Sequence, residues 1–171
     1  LGQAQAGIGG PQACAEHNGI VYWMGNDGFY MAAGQVQNIP CSVERHVFDN
    51  LTKQLKLQQT KGHYAKFNEV WFFYPVGAND AADDITNYVI FNYLENLWSV
   101  GTLARGAWAP EGIYDNPLAA GTSATSVAAS TSYIYKHESG TDDESSAMTC
   151  SVTSGDIDLP QDGDDLMFIN D

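Results

Sequence analysis

Short apolar and aromatic runs, broken by glycine, asparagine and aspartate, fill residues 19–40. One run is Ile20–Met24, and Gly25–Gly28 separates it from the next run. Such runs between turn-forming residues are typical of antiparallel strands joined by tight turns, so the pattern predicts a β-meander. Within it we expect Trp23 and Tyr30 to pack in the core or across strands, not to form a platform for a ligand.

The hydrophobic period then changes to one apolar residue in every four, which predicts one amphipathic helix over residues 42–58. The repeating residues are Val43, Val47, Leu51 and Leu55. Ser42 stands at the expected N-cap, and Glu44 lies in the first turn, where a negative charge is favourable. This helix would be inserted between two sheets.

Short apolar and aromatic runs return after Gly62 and predict four further strands. They are His63–Phe67, Val70–Pro75, Tyr88–Tyr93 and Leu97–Thr102, with a turn at Asn68, a polar loop over residues 77–87 and a compact connection at Leu94–Asn96. Four strands within about 40 residues form one up-and-down sheet, which is the size of one β-propeller blade.

Residues 103–131 contain prolines, glycines and a run of alanine, serine and threonine, so they predict a loop with one edge strand. Later strands are predicted at Ser132–His137, Ala147–Val152 and Asp164–Ile169. These strands would begin a further sheet.

The fold class predicted from this pattern is mainly β, with antiparallel meander sheets as blades of a β-propeller and one inserted amphipathic helix. Residues 19–102 hold the meander, the helix and one blade, residues 103–131 are loop-rich, and residues 132–171 start a further sheet. Neither terminus offers a cap or a tail, so residues 1–171 are expected to be a fragment of a longer propeller protein.

Composition points towards assembly with partners. Of the 171 residues, 44% are hydrophobic and 16% are charged, and the aromatic residues comprise 9 Tyr, 7 Phe and 4 Trp. Ordinary soluble domains carry roughly 25% charged residues. A large uncharged surface is typical of a protein that binds other subunits. No apolar run approaches the about 18 residues that a membrane span needs, so no membrane insertion is expected.

The net charge of −14 is concentrated in the second part of the chain. Residues 1–68 hold five Lys or Arg and four acids, whereas residues 69–171 hold 17 acids against Arg105 and Lys136. From Glu138 to Asp171 ten acids occur without any Lys or Arg. Binding to phosphates requires Lys and Arg, so this segment indicates a solvated face or a surface that does not hold nucleic acid.

Metal sites are not predicted. Two cysteine–histidine pairs could each supply half of a zinc site: Cys14 with His17, and Cys41 with His46. A second closely spaced pair is missing from the sequence, so ordinary thiols are favoured. Calcium is suggested by Asp142–Glu144 and Asp162–Asp165, but neither has the spacing of an EF-hand loop, and acidic turns are favoured. The odd count of 3 cysteines favours synthesis in a reducing compartment.

Enzyme chemistry also finds little support in the sequence. A glycosidase would need two carboxylates across a cleft. Four glutamates stand at predicted strand ends or loops, but the sequence gives no pairing among them: Glu69, Glu95, Glu111 and Glu138. No nucleophile-elbow or nucleotide-binding motif is present in the sequence. We therefore expect that the protein is not an enzyme and that it has neither catalytic residues nor a cofactor.

Several segments, in a fixed order along the chain, carry a resemblance to a known family. They are Val21–Tyr30, Gln35–Cys41, Phe67–Pro75, Tyr88–Tyr93, Leu97–Trp108 and Tyr133–Glu138, with the helix ending near Leu55 between the second and the third. In this order they resemble the packaged-DNA stabilisation proteins of short-tailed bacteriophages, the tail hub or nozzle family. The resemblance covers nearly the whole chain.

The resemblance implies a structural protein of the virion tail, in which a β-propeller with inserted loops forms a ring of identical subunits below the portal. Such hubs retain packaged DNA, contact portal or adaptor proteins and carry tail fibres or a needle. The resemblance implies no catalytic residues. Because sliding double-stranded DNA should not bind its channel, we expect part of Asp142–Asp171 to face that channel or an open polar surface. The chain is too short for a whole propeller, so further ring contacts are expected outside it.

An alternative of a different class stays open. This is a carbohydrate-binding or carbohydrate-cleaving β-propeller, as part of a tail fibre or a secreted protein. An exposed tryptophan in a pocket beside paired carboxylates would favour it, whereas a ring interface would favour the hub.

Overall fold

The computed structural model describes residues 6–51, 60–65, 67–76, 85–112, 114–121, 133–143 and 146–147. Within these ranges the chain is mainly β, with three antiparallel sheets, one short hairpin and one helix. The predicted fold class, mainly β with antiparallel meanders and an inserted helix, is therefore confirmed. Two compact units divide the chain, residues 1–139 and residues 140–171, and the three sheets belong to the first.

Sheet I consists of four strands in chain order: β1 (Cys14–His17), β2 (Ile20–Met24), β3 (Phe29–Ala32) and β4 (Val36–Ile39). The last three strands are the predicted meander. The sequence pattern does not predict β1, because its residues show no alternation of large apolar side chains. Asn18 and Gly19 join β1 to β2 with φ angles of 52° and 77°, which is the turn that an Asn-Gly pair favours in two-residue hairpins.

Trp23 and Tyr30 pack across strands, as predicted. They face each other in the β2–β3 register, and their ring centroids lie 5.7 Å apart in a stacked arrangement. The Trp23 Nε1 donates to the Ala6 carbonyl at 3.1 Å, and the Tyr30 hydroxyl donates to Asp27 at 2.9 Å. Both buried polar groups are thus satisfied without a ligand.

The helix α1 (Glu44–Asn50) is shorter than the helix predicted over residues 42–58. Ser42 is not its N-cap, because Val43 precedes the first helical residue and no side chain caps the helix. The apolar face is still used as predicted, since Val47 is completely buried in the core. The amphipathic pattern therefore identified the helix and its inner face but not its length.

The helix ends because Leu51 adopts an extended conformation, with φ of −68° and ψ of 124°. Leu51 forms an isolated antiparallel bridge with Val76, so its backbone pairs with another segment and not with the preceding helical turn. The side chain of Asn50 also donates to the His46 carbonyl at 2.6 Å. The predicted helix is wrong at Leu51, and residues 52–58 lie outside the described residues.

Sheet II consists of β5 (Lys61–Ala65), β6 (Glu69–Pro75), β7 (Ile85–Asn92) and β8 (Leu97–Thr102), again in chain order. This confirms the predicted four-stranded up-and-down sheet. The turn predicted at Asn68 is present, and Phe67 and Asn68 both have positive φ angles. The predicted loop over residues 77–87 is wrong for its last three residues, because Pro75 pairs with Ile85 across a bulge and starts β7 early. Residues 77–84 lie outside the described part.

The inner faces of sheets I and II pack against each other and against α1. The buried residues are Ala13, Ala15, Tyr22, Met24, Phe29, Ile39, Val47, Val70, Phe72, Tyr74, Val89 and Phe91. The ring of Phe29 lies in the middle of this core, with its centroid 4.6 Å from that of Trp98 and 5.5 Å from that of Phe72. Each large buried side chain contributes about 1.5–3 kcal/mol, so the core holds the two sheets together.

The first strands of sheets I and II run close together. Gln12, just before β1, forms a parallel bridge with Lys61, and the Gly62 N–H donates to the Gln12 carbonyl at 2.8 Å. A Cβ atom at Gly62 would lie 2.6 Å from the carbonyl carbon of Cys14. Only glycine lets β5 approach β1 at this distance.

Sheet III consists of β9 (Arg105–Ala109), β10 (Leu118–Gly121) and β11 (Ile134–Lys136), in the order β11-β10-β9. The prediction of a loop with one edge strand over residues 103–131 is wrong, because β9 and β10 both lie there. Their small residues give no hydrophobic alternation, and pairing between neighbouring strands sets their conformation. The β11 strand confirms the one predicted at Ser132–His137, although it is shorter. Residues 122–132 lie outside the described residues.

The second unit contains one described hairpin, formed by β12 (Asp142–Asp143) and β13 (Ser146–Ala147). The strand predicted at Ala147–Val152 overlaps β13 at its first residue, and its remaining residues are outside the described ranges. The strand predicted at Asp164–Ile169 is also outside them.

We expect Gly62→Ala to lower the free energy of unfolding by about 1–3 kcal/mol, because the new Cβ overlaps the backbone of Cys14. Urea unfolding followed by tryptophan fluorescence measures this change. Gly7→Ala is the matched control, since a Cβ there meets no atom within 4 Å. Equal stabilities for the two variants would contradict the close approach of β1 and β5.

Candidate functional site

The outer face of sheet II carries a second group of rings, on the side away from the core. Strand alternation places His63 opposite Trp71, and Phe73 opposite Tyr88, on this face. We call six side chains the aromatic layer. Sheet II contributes His63, Trp71, Phe73 and Tyr88, and the other two are Trp108 on β9 and His137, the residue that follows β11. Phe73 is almost completely buried, so this face is covered as well as the inner one.

Trp108 on β9 is the residue that covers sheet II. Its ring centroid lies 6.0 Å from Trp71, 5.6 Å from Phe73, 6.3 Å from His63 and 4.7 Å from His137. Aromatic pairs at such distances contribute about 0.5–1.5 kcal/mol beyond the area that they bury. The aromatic layer therefore joins sheet III to sheet II.

Tyr88 shows why a glycine is needed within the layer. Its partner in the β7–β8 register is Gly101, and a Cβ at that position would overlap the Tyr88 hydroxyl group. Burial, followed by the charge of Glu69, raises the pKa of Tyr88, so its phenol stays neutral. Glu69 also accepts a hydrogen bond from Trp71 Nε1 at 2.8 Å, which orients the indole ring.

Arg105 forms the buried polar end of the layer, with an exposed fraction of 7%. Its Nε donates to His137 Nε2 at 3.1 Å, and its Nη1 donates to the Ala104 carbonyl at 3.0 Å. The guanidinium carbon also lies 3.7 Å from the ring centroid of Tyr135, as a cation–π contact. Arg105 therefore ties β9 to β11, and burial keeps it from contact with phosphate groups outside the protein.

His63 is held neutral within the layer. Burial first, and the charge of Lys61 second, lower its pKa from 6.5 to about 4. Among the described residues no group forms a hydrogen bond with its Nε2 atom. The neutral imidazole packs between Phe73 and Trp108 and does not become protonated near neutral pH, so it serves as a packing group.

The four glutamates considered from the sequence fall into two groups. Glu69 begins β6 opposite Asn92, whose side chain accepts the Glu95 N–H, so these two glutamates lie at one end of sheet II. Glu111 follows β9 and Glu138 follows β11, so they belong to sheet III. The strands thus distribute the four glutamates over two sheets.

Among the described residues, the two cysteine–histidine pairs considered in the sequence are not brought together with further ligands. Cys14 and His17 lie three residues apart on β1 and so point to opposite faces, while Cys41 precedes α1 and burial raises its pKa to about 11. In the described part of the chain no three His, Cys, Asp or Glu side chains are grouped to hold a metal ion. Asp142 and Asp143 lie on β12, whereas Asp162–Asp165 are outside the described residues.

None of the helical segments that the structure describes is long and apolar enough to cross a membrane.

The aromatic layer itself is the feature that the sequence analysis missed. Its available signal was the run Val70–Tyr74, in which successive residues are all large and apolar. A run without alternation is typical of a strand that is buried on both faces.

Comparison with protein-family models gives no match for this chain, and comparison with curated proteins gives none either.

We expect the stability of the protein to fall as the pH falls from about 6.5 to about 4 because of His63. Over this range of pH the unfolded chain binds a proton at His63 and the folded chain does not. The stabilising contribution of His63 is therefore fully present above pH 6.5 and is lost as the pH falls to about 4. The wild type should lose about 2–3 kcal/mol more than His63→Phe, a variant that keeps an aromatic ring in the layer. Urea unfolding of both proteins at several pH values measures the difference, and parallel pH profiles would contradict the burial of a neutral His63.

Proposed function

We propose that this chain is a structural protein of a bacteriophage tail, part of the hub below the portal, and that its sheets are blades of a β-propeller. The observation that carries the proposal is the coverage of sheet II on both faces. The sheet before it in the chain covers the inner face, and the sheet after it covers the outer face through Trp108. Successive propeller blades pack in this order around their axis.

The arrangement of first strands supports the same fold. Radial repetition of sheets with the same strand order makes corresponding strands neighbours near the axis. The first strands of sheets I and II are β1 and β5, and Gln12 beside β1 forms a parallel bridge with Lys61. A two-layer sandwich would instead leave the outer face of each sheet towards solvent, whereas Phe73 on the outer face of sheet II is almost completely buried.

A structural role in the tail is further supported by the order of motifs that resembles the hub family. In that role the chain would contact identical subunits in a ring, portal or adaptor proteins, and tail fibres or a needle. Double-stranded DNA would pass without specific binding, which agrees with the burial of Arg105 and with the excess of acids in residues 69–171. The proposed location is the virion tail, after synthesis in the host cytoplasm.

The carbohydrate alternative receives no specific support from the tryptophans. All four are described, and none is fully exposed: Trp23, Trp71, Trp98 and Trp108. Trp71 donates to a carboxylate, Glu69, but Trp108 stacks on its ring. A sugar would need such a ring to be open on one face.

Particles of the encoding phage test the proposal directly. We expect the full-length protein to form a homo-oligomeric ring at the tail, and particles that lack it to package DNA and then lose it. Electron microscopy of particles with a tagged protein locates the ring, and nuclease sensitivity of the packaged DNA measures retention. A monomeric protein that is absent from the particles, with retention unchanged by its deletion, would exclude the hub.

The acidic C-terminal segment gives a second test. We expect the triple replacement of Asp162, Asp164 and Asp165 by Lys to slow DNA ejection while particles still assemble, because a sliding polyanion would bind the new cations. The ejection rate of purified particles at low and high salt measures this, and the slowing should weaken as salt rises. An unchanged rate at low salt would place these acids away from the DNA path.

A further inference from the structure

The turn between β1 and β2 has two properties that make an asparagine reactive. Asn18 and Gly19 form the only Asn-Gly pair in the sequence, and both residues are exposed. The backbone nitrogen that follows an asparagine can attack the side-chain amide, and glycine hinders this attack least because it has no Cβ atom. Asparagine is accordingly counted among the thermolabile residues.

The fold itself favours this reactive pair. Asn18 and Gly19 have φ angles of 52° and 77°. A two-residue hairpin turn with positive φ at both positions is the conformation that Asn-Gly adopts most readily. A bulkier residue in place of Gly19 would hinder the attack, but its side chain would strain the backbone at this φ angle. The hairpin therefore retains a pair that can react.

Two hydrogen bonds oppose the reaction in the folded hairpin. The Gly19 N–H, whose nitrogen is the attacking atom, donates to Glu16 Oε1 at 2.8 Å. The Asn18 Nδ2, which is the leaving group, donates to His17 Nε2 at 2.8 Å. Both bonds must break before the nitrogen of Gly19 can lose its proton and reach the amide carbon. Because both acceptors lie on β1, this strand restrains the turn that follows it.

We propose that Asn18 is a modification site, at which asparagine is converted to aspartate and isoaspartate, and that Glu16 slows this conversion. The Gly19 nitrogen bonds to the Asn18 Cγ, the bond from Cγ to Nδ2 breaks, and ammonia leaves with the proton of the Gly19 N–H. Water then opens the resulting succinimide ring. Its addition at Cγ gives aspartate, whereas its addition at the main-chain carbonyl gives isoaspartate. The reaction consumes only water.

Either product would loosen the turn end of β1. Isoaspartate lengthens the main chain by one carbon atom within a two-residue turn, and the length of the turn fixes the register of a hairpin. The pair of His17 and Ile20, next to the turn, would lose its register first. Aspartate keeps the length of the chain but places a negative charge near Glu16, where like charges repel.

Peptide mass spectrometry of the complete 171-residue chain, incubated at physiological temperature and pH, measures the conversion as a mass increase of one dalton. Chromatography of the peptides separates aspartate from isoaspartate. Asn96 is the matched internal control, because it is also exposed and has a φ angle of 55° but precedes Leu97. We expect product to accumulate at Asn18 while Asn96 stays intact.

Variants of Glu16 test the restraint. Glu16→Ala removes the acceptor of the Gly19 N–H and should speed the conversion of Asn18 about fivefold, the factor expected for loss of one typical hydrogen bond. Glu16→Gln keeps an acceptor oxygen and should convert at a rate between those of the wild type and Glu16→Ala. In urea, where the hairpin is unfolded, the wild type and Glu16→Ala should convert at the same rate. Circular dichroism checks that each variant is folded without urea.

Three results would overturn the inference. If Asn18 in the folded chain stays intact as long as Asn96 does, it is not a modification site. If the folded wild type and Glu16→Ala convert at the same rate, Glu16 does not restrain the reaction. If Glu16→Ala converts faster in urea by the same factor as in the folded state, its effect does not come from the hydrogen bond in the hairpin.

Discussion

The burial of aromatic rings on both faces of sheet II is the interaction on which the rest of the structure depends. On the inner face, Phe72 contacts Phe29 from sheet I, and on the outer face Trp71 and Phe73 contact Trp108 from sheet III. One strand, β6, supplies all three of these sheet II rings because its residues alternate between the faces. Loss of either contact would weaken the packing of a neighbouring sheet on the central one.

This double burial explains the unusual state of the polar groups nearby. An ionisable imidazole or guanidinium that is buried between sheets must be neutral or must have partners within the protein. His63 takes the first course, since burial lowers its pKa to about 4. Arg105 takes the second, through His137, the Ala104 carbonyl and the ring of Tyr135.

Sequence pattern predicted the strands that are apolar runs between turn residues, and it failed where strand pairing alone decides. The meander around Trp23 and the four strands of sheet II follow from apolar runs between turn residues. By contrast, β10 is Leu-Ala-Ala-Gly, which gives no pattern, and it forms a strand because it pairs with β9 and β11 on its two sides. Leu51 fits a helical period but is extended, because a bridge with Val76 competes with the next helical turn. The aromatic layer was not predicted because its members come from separate strands and meet only after the sheets stack.

The contacts of Arg105 reduce the number of cations that residues 69–171 can offer to an anionic partner. By composition, residues 69–171 offer two cations, Arg105 and Lys136, to any anionic partner. Burial removes Arg105 from that count, because it is almost completely buried and its guanidinium lies against His137 and the ring of Tyr135. Lys136 remains exposed on β11. Residues 69–171 therefore present one accessible cation, so they offer little attraction to a polyanion.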